Sequence, residues 1–123
     1  MTMTPQMWNL MEAGVKKMDL RTTKPKCDTP FKVIVNVTGG EGIVGEFICN
    51  DVKEIKTIGE YIEAEKLIFV NAKYIWEYSR HGQRKIYGWN ISDATRYEKP
   101  RKISDYGLTK APRTWQYIKE ENR

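Results

Sequence analysis

The chain has 123 residues, a formal net charge of +5, 40% hydrophobic residues and 30% charged ones. This describes a single globular domain, 1–123, long enough to bury a core. The longest aliphatic or aromatic run, Leu67–Val70, is too short for a membrane helix, and Met1–Pro5 lacks the basic end and apolar stretch of a secretory leader. Cys27 and Cys49 make no disulfide framework, so a reducing cytoplasm is the expected setting, with no membrane partner.

Thr4-Pro5 predicts a helix start, with threonine as N-cap and proline in the first turn, where a missing N–H costs nothing. Met7, Leu10, Met11 and Val15 then recur at helical spacing, and Gly14 ends the helix. Lys17–Arg21 reads as a short strand. Thr22–Pro30 is a loop, because Lys24-Pro25-Lys26 and Thr29-Pro30 cannot sit in a central strand.

The stretch that organises the chain is Phe31–Val52. Phe31, Val33, Val35 and Val37 alternate with Lys32, Ile34, Asn36 and Thr38, the period of a half-buried strand. Ile43, Gly45, Phe47 and Cys49 then alternate with Val44, Glu46 and Ile48. Gly39-Gly40-Glu41-Gly42 between the two arms supplies a tight reversal. The pattern predicts a β-hairpin with Val33, Val35 and Phe47 buried. Gly45 marks a bulge or a close backbone approach.

Val52–Ile58 continues or reverses the sheet, and Ile58–Val70 fits a strand or an irregular crossover. Asn71 caps a helix over Ala72–Ser79. Arg80–Lys85 is a basic loop. Ile86–Tyr97 is a strand pair or one bent strand that Ser92-Asp93 interrupts and Lys99–Lys102 ends. Ile103–Leu108 is a single turn, Thr114–Ile118 a last strand, and 119–123 a frayed tail. Short strands, two or so helices and no βαβ rhythm predict an α+β fold built on a small mixed barrel.

Charge is unevenly spread. Glu41–Glu77 carries −4, which leaves +9 elsewhere, concentrated in Lys16–Lys26 and Arg80–Lys102. Such asymmetry suits an anionic partner or a solvated surface. The segments Lys16–Lys26 and Arg80–Lys85 are expected to meet as one basic surface.

Gly14-Val15-Lys16-Lys17-Met18-Asp19-Leu20-Arg21 resembles the G-x-K-x-x-E-x-R signature of ASCH domains, of the PUA-like superfamily, with Asp19 where Glu is usual. Pro30–Val35 followed by Gly42–Phe47 resembles that family's paired core strands. Gly88–Asp93 with Tyr97–Pro100 resembles its late strand, and Ala111–Tyr117 the closing strand of its phage-associated variety. The resemblance runs in order over the whole chain. It implies a PUA-like barrel with a cleft beside the first helix and the following strand, binding RNA or a modified nucleobase without cofactor or metal.

On that reading the contacts are Lys16, Lys17, Asp19, Arg21, Lys24, Lys26, Arg80, Arg84 and Lys85, with Trp8 and Trp76 as exposed stacking platforms. Lys17, Asp19 and Arg21 share one strand face, as base readers or as a surface ion pair. One ASCH branch removes an acetyl group from modified cytidine with a Lys, a Thr and a distant Glu. Lys16 and Arg21 match its K-x-x-x-x-R stretch, but Asp19 stands where that branch has Thr. A carboxylate cannot replace a hydroxyl nucleophile without changing the mechanism, so a metal-independent amidohydrolase would have Lys16 and Asp19 as its catalytic residues, with Asp19 as a general base on water. A third alternative is a phage-encoded adaptor that binds a host protein.

Other signals are weaker. His81 has no metal-ligand spacing around it and reads as a phosphate contact or plain surface. Trp89 and Trp115 read as core on at least one ring face, and Cys49 as core.

Overall fold

The structure, a computed structural model, describes residues 1–68 and 70–119. Phe69 in the expected crossover, and Glu120–Arg123 of the expected tail, lie outside the described residues. Five strands form one sheet in the order β1 (Thr2–Met3), β3 (Phe31–Val37), β4 (Gly42–Glu54), β5 (Tyr87–Arg101) and β2 (Met18–Arg21). β1 runs parallel to β3, and every other neighbour is antiparallel. Three helices join it: α1 (Pro5–Glu12), α2 (Ile58–Ile68) and α3 (Ala72–Tyr78), with a 3₁₀ turn at Ile103–Tyr106.

The hairpin forms as its alternation requires, from Phe31↔Cys49 to Val37↔Gly42, with Gly39, Gly40 and Gly42 at positive φ in the reversal. Val33, Val35 and Phe47 are buried. The alternation of the second arm breaks, however. Val35 pairs Gly45 and Asn36 pairs Ile43, so Val44 is the extra residue of a bulge. Val44 therefore joins Phe47 and Cys49 in the main core, and Ile43 turns to the opposite face with Ile34 and Tyr106. Gly45 lies at this bulge and is packed against α1. A Cβ there would stand 2.3 Å from the Thr95 carbonyl oxygen and 2.5 Å from Trp8 Cζ2.

α1 starts where expected, with Thr4 Oγ1 accepting from Met7 N–H at 3.3 Å. Its Trp8 and Met11 seal one sheet face over Val35, Val37, Val44 and Phe47. Burying a side chain such as Phe47 contributes about 1.5–3 kcal/mol. Register shifts along β4 and β5 add twist, so the two long strands bend as a ribbon.

Ile58–Ile68 is a helix, not a strand or crossover. Thr57 Oγ1 accepts from Glu60 N–H at 3.1 Å, and Glu60 Oε1 accepts from Thr57 N–H at 3.0 Å, a reciprocal cap. Tyr61, Ala64 and Ile68 then fall on one helical face. They pack with Ile75 of α3, with Met18 of β2 and with Ile55 and Ile86 just beyond the ends of β4 and β5 as a second core. Asn71 caps α3 through Tyr74 N–H at 2.8 Å.

Ile86–Tyr97 resolves as part of one 15-residue strand that continues past Pro100. Thr114–Ile118 is not a strand. It keeps one backbone bond, Thr2 N–H to the Thr114 carbonyl, and docks through side chains: Trp115 Nε1–H donates to Thr23 Oγ1 and Lys26 N–H donates to the Tyr117 hydroxyl. The fold class is the expected α+β, but the sheet is open rather than a closed barrel. Its edges, β1 and β2, are two and four residues long, too short to complete a ladder.

Gly45→Ala is expected to destabilise the protein by about 1–3 kcal/mol in urea denaturation, because neither Thr95 nor Trp8 has room to move. Gly59→Ala on exposed α2 meets only Thr57 Oγ1 at 3.8 Å. It is expected to stabilise by up to about 1 kcal/mol through helix propensity.

Candidate nucleic-acid interface

The chain leaves α1 at Gly14 and enters β2 through Lys16 and Lys17. Backbone bonds hold this passage: Lys16 N–H to the Leu10 carbonyl at 3.0 Å and Lys17 N–H to the Leu67 carbonyl at 2.7 Å. Lys16 is thereby turned inward, 3% exposed. Its ammonium donates to the Ile68 carbonyl at 3.3 Å and faces Asp19 Oδ1 at 3.6 Å. Burial pulls the Lys16 pKa below its ordinary value, with the Asp19 charge opposing.

Arg21 completes the cluster. Its Nε–H donates to Asp19 Oδ2 at 2.5 Å, Nη1–H to Thr114 Oγ1 at 2.9 Å and Nη2–H to the Thr2 carbonyl at 3.0 Å. One guanidinium thus ties β2, β1 and the segment after Pro112. Asp19 and Arg21 are not a surface pair, since their side chains are 8% and 12% exposed. Nor does one strand face present Lys17, Asp19 and Arg21: Lys17 precedes β2 and is exposed, while Asp19 is buried. Lys16 and Asp19, expected to line a cleft, are buried.

The exposed groups gather one layer away. Arg21 pairs in register with Tyr87, two residues beyond Lys85. Lys24 Nζ lies 5.9 Å from the Tyr87 ring centre. Arg84 Nε–H donates to the Tyr78 carbonyl at 3.0 Å, and its guanidinium lies 4.7 Å from the Tyr78 ring centre. The Tyr78 phenol feels both Arg21 and Arg84, although burial dominates and raises its pKa. Arg21 and Lys24 of the first basic segment therefore lie by Tyr87, and Arg84 of the second lies against Tyr78.

Aromatic rings lie on two faces of α3. Tyr74 and Tyr78 stack at 6.2 Å with 14° between planes, and Trp76 and His81 at 5.5 Å with 18°. Arg80, His81 and Lys85 are exposed, and Trp76 and Tyr74 are 42% and 51% exposed. Trp8 is not a stacking platform: it is 1% exposed because its ring occupies the space Gly45 leaves. Tyr74 and Tyr78 escaped the sequence reading, yet their i, i+4 spacing on a capped helix was the available signal. Lys26 lies apart, on the loop held by Tyr117.

Cys27 is exposed and Cys49 buried, and burial pushes the Cys49 thiol up to about 11. Among the described residues no group of three or more His, Cys, Asp or Glu is placed to hold a metal. Nor is any helix there long and apolar enough to cross a membrane.

No family model and no curated protein matches the sequence. The fold does match solved structures of the ASCH protein of Zymomonas mobilis. A serine-to-alanine variant superposes with a TM-score of 0.83 at 12% identity, covering 99% of this chain and 88% of that one. A tyrosine-to-phenylalanine variant gives 0.81 at 12% identity, with 99% and 90% coverage. The unsubstituted protein gives 0.81 at 11% identity, with 99% and 87%. The chain therefore has the ASCH fold over its whole described length.

Arg21→Ala is expected to cost about 3 kcal/mol or more in urea denaturation, because it leaves a buried carboxylate short of a partner and unties three segments. Arg21→Lys is expected to recover little, since one ammonium cannot span the three acceptors. For Lys16, the unfolded chain binds the proton more tightly than the folded one. Stability is therefore expected to rise with pH from the folded-state pKa of Lys16 up to about 10.5, its unfolded value. Denaturation series across that window should lack this component in Lys16→Met.

Proposed function

We propose that this protein binds RNA or a modified nucleobase on the surface made by α3, the Arg80–Lys85 loop and the paired ends of β2 and β5. One observation carries the reading: the Arg84 guanidinium lies 4.7 Å from the ring centre of Tyr78, which stacks at 6.2 Å on the exposed ring of Tyr74. Lys17, Lys24, Arg80, Arg84 and Lys85 supply cations for phosphates, and Lys26 extends them along the neighbouring loop. Trp76 and Tyr74 supply faces for unpaired bases. Lys16, Asp19 and Arg21 act beneath this surface by holding β2. The ASCH fold and the resemblance of Gly14–Arg21 to the ASCH signature support the reading, and the unpaired Cys27 and Cys49 suit a reducing cytoplasm.

Burial of Lys16 favours one other reading. A lysine whose pKa is lowered is more readily neutral and so available to accept a proton, as an amidohydrolase acting on a modified nucleoside would require. Against it, both Asp19 oxygens are already engaged by Lys16 and Arg21. Turnover of acetylated cytidine that disappears in Lys16→Met would replace the first reading with this one.

Fluorescence anisotropy with short single-stranded RNA at increasing salt tests the proposal. Affinity is expected to fall linearly on a log–log scale, and Lys85→Ala should reduce the slope by about 0.7 for one lost phosphate. Trp76→Ala should weaken binding by about 1–3 kcal/mol while leaving the slope unchanged. Affinity indifferent to salt, or a stable host-protein complex with no RNA binding, would overturn the reading, the latter in favour of the adaptor.

A further inference from the structure

A second region has the makings of a site. Between β3, the Pro25–Cys27 loop and the segment after Leu108 lies a cavity of about 70 Å³. It is larger than the roughly 10–15 Å³ that one water needs, and it has room for a small ring. Phe31, Trp89, Trp115 and Tyr117 line it. Their rings meet in sequence at 5.8, 5.4 and 5.3 Å between centres, so the aromatic wall is continuous.

The polar groups there are those of a heterocycle reader. Asn36 and Gln116 bring amides, and no Asp or Glu is among the lining residues. One wall is strand edge. β1 pairs β3 only at Asn36 and Val37, so Phe31–Val35 has a neighbour on the β4 side alone. The Ile34 carbonyl on the free side accepts from the Met1 amine at 2.9 Å, and Asn36 N–H donates to the Met1 carbonyl at 2.9 Å. Alternate residues point the same way along a strand. The N–H and C=O of Lys32 and the N–H of Ile34 therefore point to that free side, a donor–acceptor row with no strand beside it among the described residues.

The mouth is basic. Pro25 and Cys27 line the cavity, and Lys24 and Lys26 flank Pro25 on the same loop, both exposed. Lys26 N–H is bonded to the hydroxyl of Tyr117, one of the wall residues, at 2.8 Å. Phosphates on either side of a base in the cavity would meet these lysines.

We propose that this cavity is a subsite for one planar nitrogen heterocycle, a nucleobase, held between aromatic walls and read by the free edge of β3 with Asn36 and Gln116. The inference deepens the RNA-binding reading and rests on it for the source of the base. It adds a pocket separate from the α3 surface. A base splayed from a single strand and a free nucleoside share this chemistry, and the experiment has an arm for each.

The full chain is titrated with adenosine, cytidine and uridine, and separately with short oligoadenylate and oligouridylate. The indole N–H signals of Trp89 and Trp115 are followed by NMR. At least one nucleoside is expected to shift the Trp115 signal. Leu108→Trp, which fills the cavity from its rim, is expected to abolish that shift and weaken the oligonucleotide about tenfold or more without changing the salt slope. Gln116→Leu, at an exposed position that leaves packing intact, provides the same test should Leu108→Trp fail to fold; it should weaken the preferred base most.

Nucleoside shifts without oligonucleotide binding would support the cavity with a free ligand and overturn the α3 surface. Salt-dependent RNA binding with Trp115 unmoved, and unaffected by Leu108→Trp and Gln116→Leu, would overturn the cavity and leave that surface standing.

Discussion

Arg21 does for this sheet what strand pairing does in a closed barrel. Its guanidinium reaches Asp19 on its own strand, the Thr2 carbonyl on the opposite edge and the Thr114 hydroxyl on the closing segment. A planar fork with five donors can hold three separated acceptors at once, which a compact ammonium cannot span. The cost is a buried charge, compensated by Asp19. Asp19 in turn accommodates Lys16, whose burial is the larger electrostatic penalty. Arg21 ties the short edge strand β2 to β1 and to the segment after Pro112, which also meet each other through the Thr2 N–H bond to the Thr114 carbonyl.

The hairpin was legible because it obeys the simplest rule available. Phe31–Val37 alternates, glycines follow, and the register is fixed by which face is apolar. The rule failed at Val44, because a bulge changes face parity without any change in composition, and Gly45 was the only trace of it. Ile58–Ile68 was misread for a different reason. Its apolar run mixes helical and extended spacing, whereas the decisive signal was polar: Thr57 and Glu60, three apart, cap each other. Thr114–Ile118 carries strand-forming residues but makes no strand ladder among the described residues, and tertiary context overrides propensity.

The candidate site was legible as charge and not as depth. Groups of both basic segments lie beside tyrosines, Tyr87 and Tyr78, yet nothing in the letters distinguishes Lys16, turned toward Ile68, from Lys17, turned to solvent. Trp8 shows the same limit. It lies on a helix that needed a bulky residue over a glycine in the facing strand, a relation between positions 8 and 45 that no local window contains. Tyr74 and Tyr78 were recoverable, since a capped helix places residues four apart on one side.

The segment from Thr114 to Ile118 has a meaning beyond the wall it builds. Half of β3 has an uncovered hydrogen-bonding edge, the kind of template on which strands of other copies assemble into aggregates. Trp115 and Tyr117 lie over that edge through bonds to Thr23 and Lys26, and so deny it to intruding strands without adding one. A guard held by side chains leaves room beneath it, where a paired strand would have left none. Colloidal safety and an interior cavity are thus two results of the same unmade ladder.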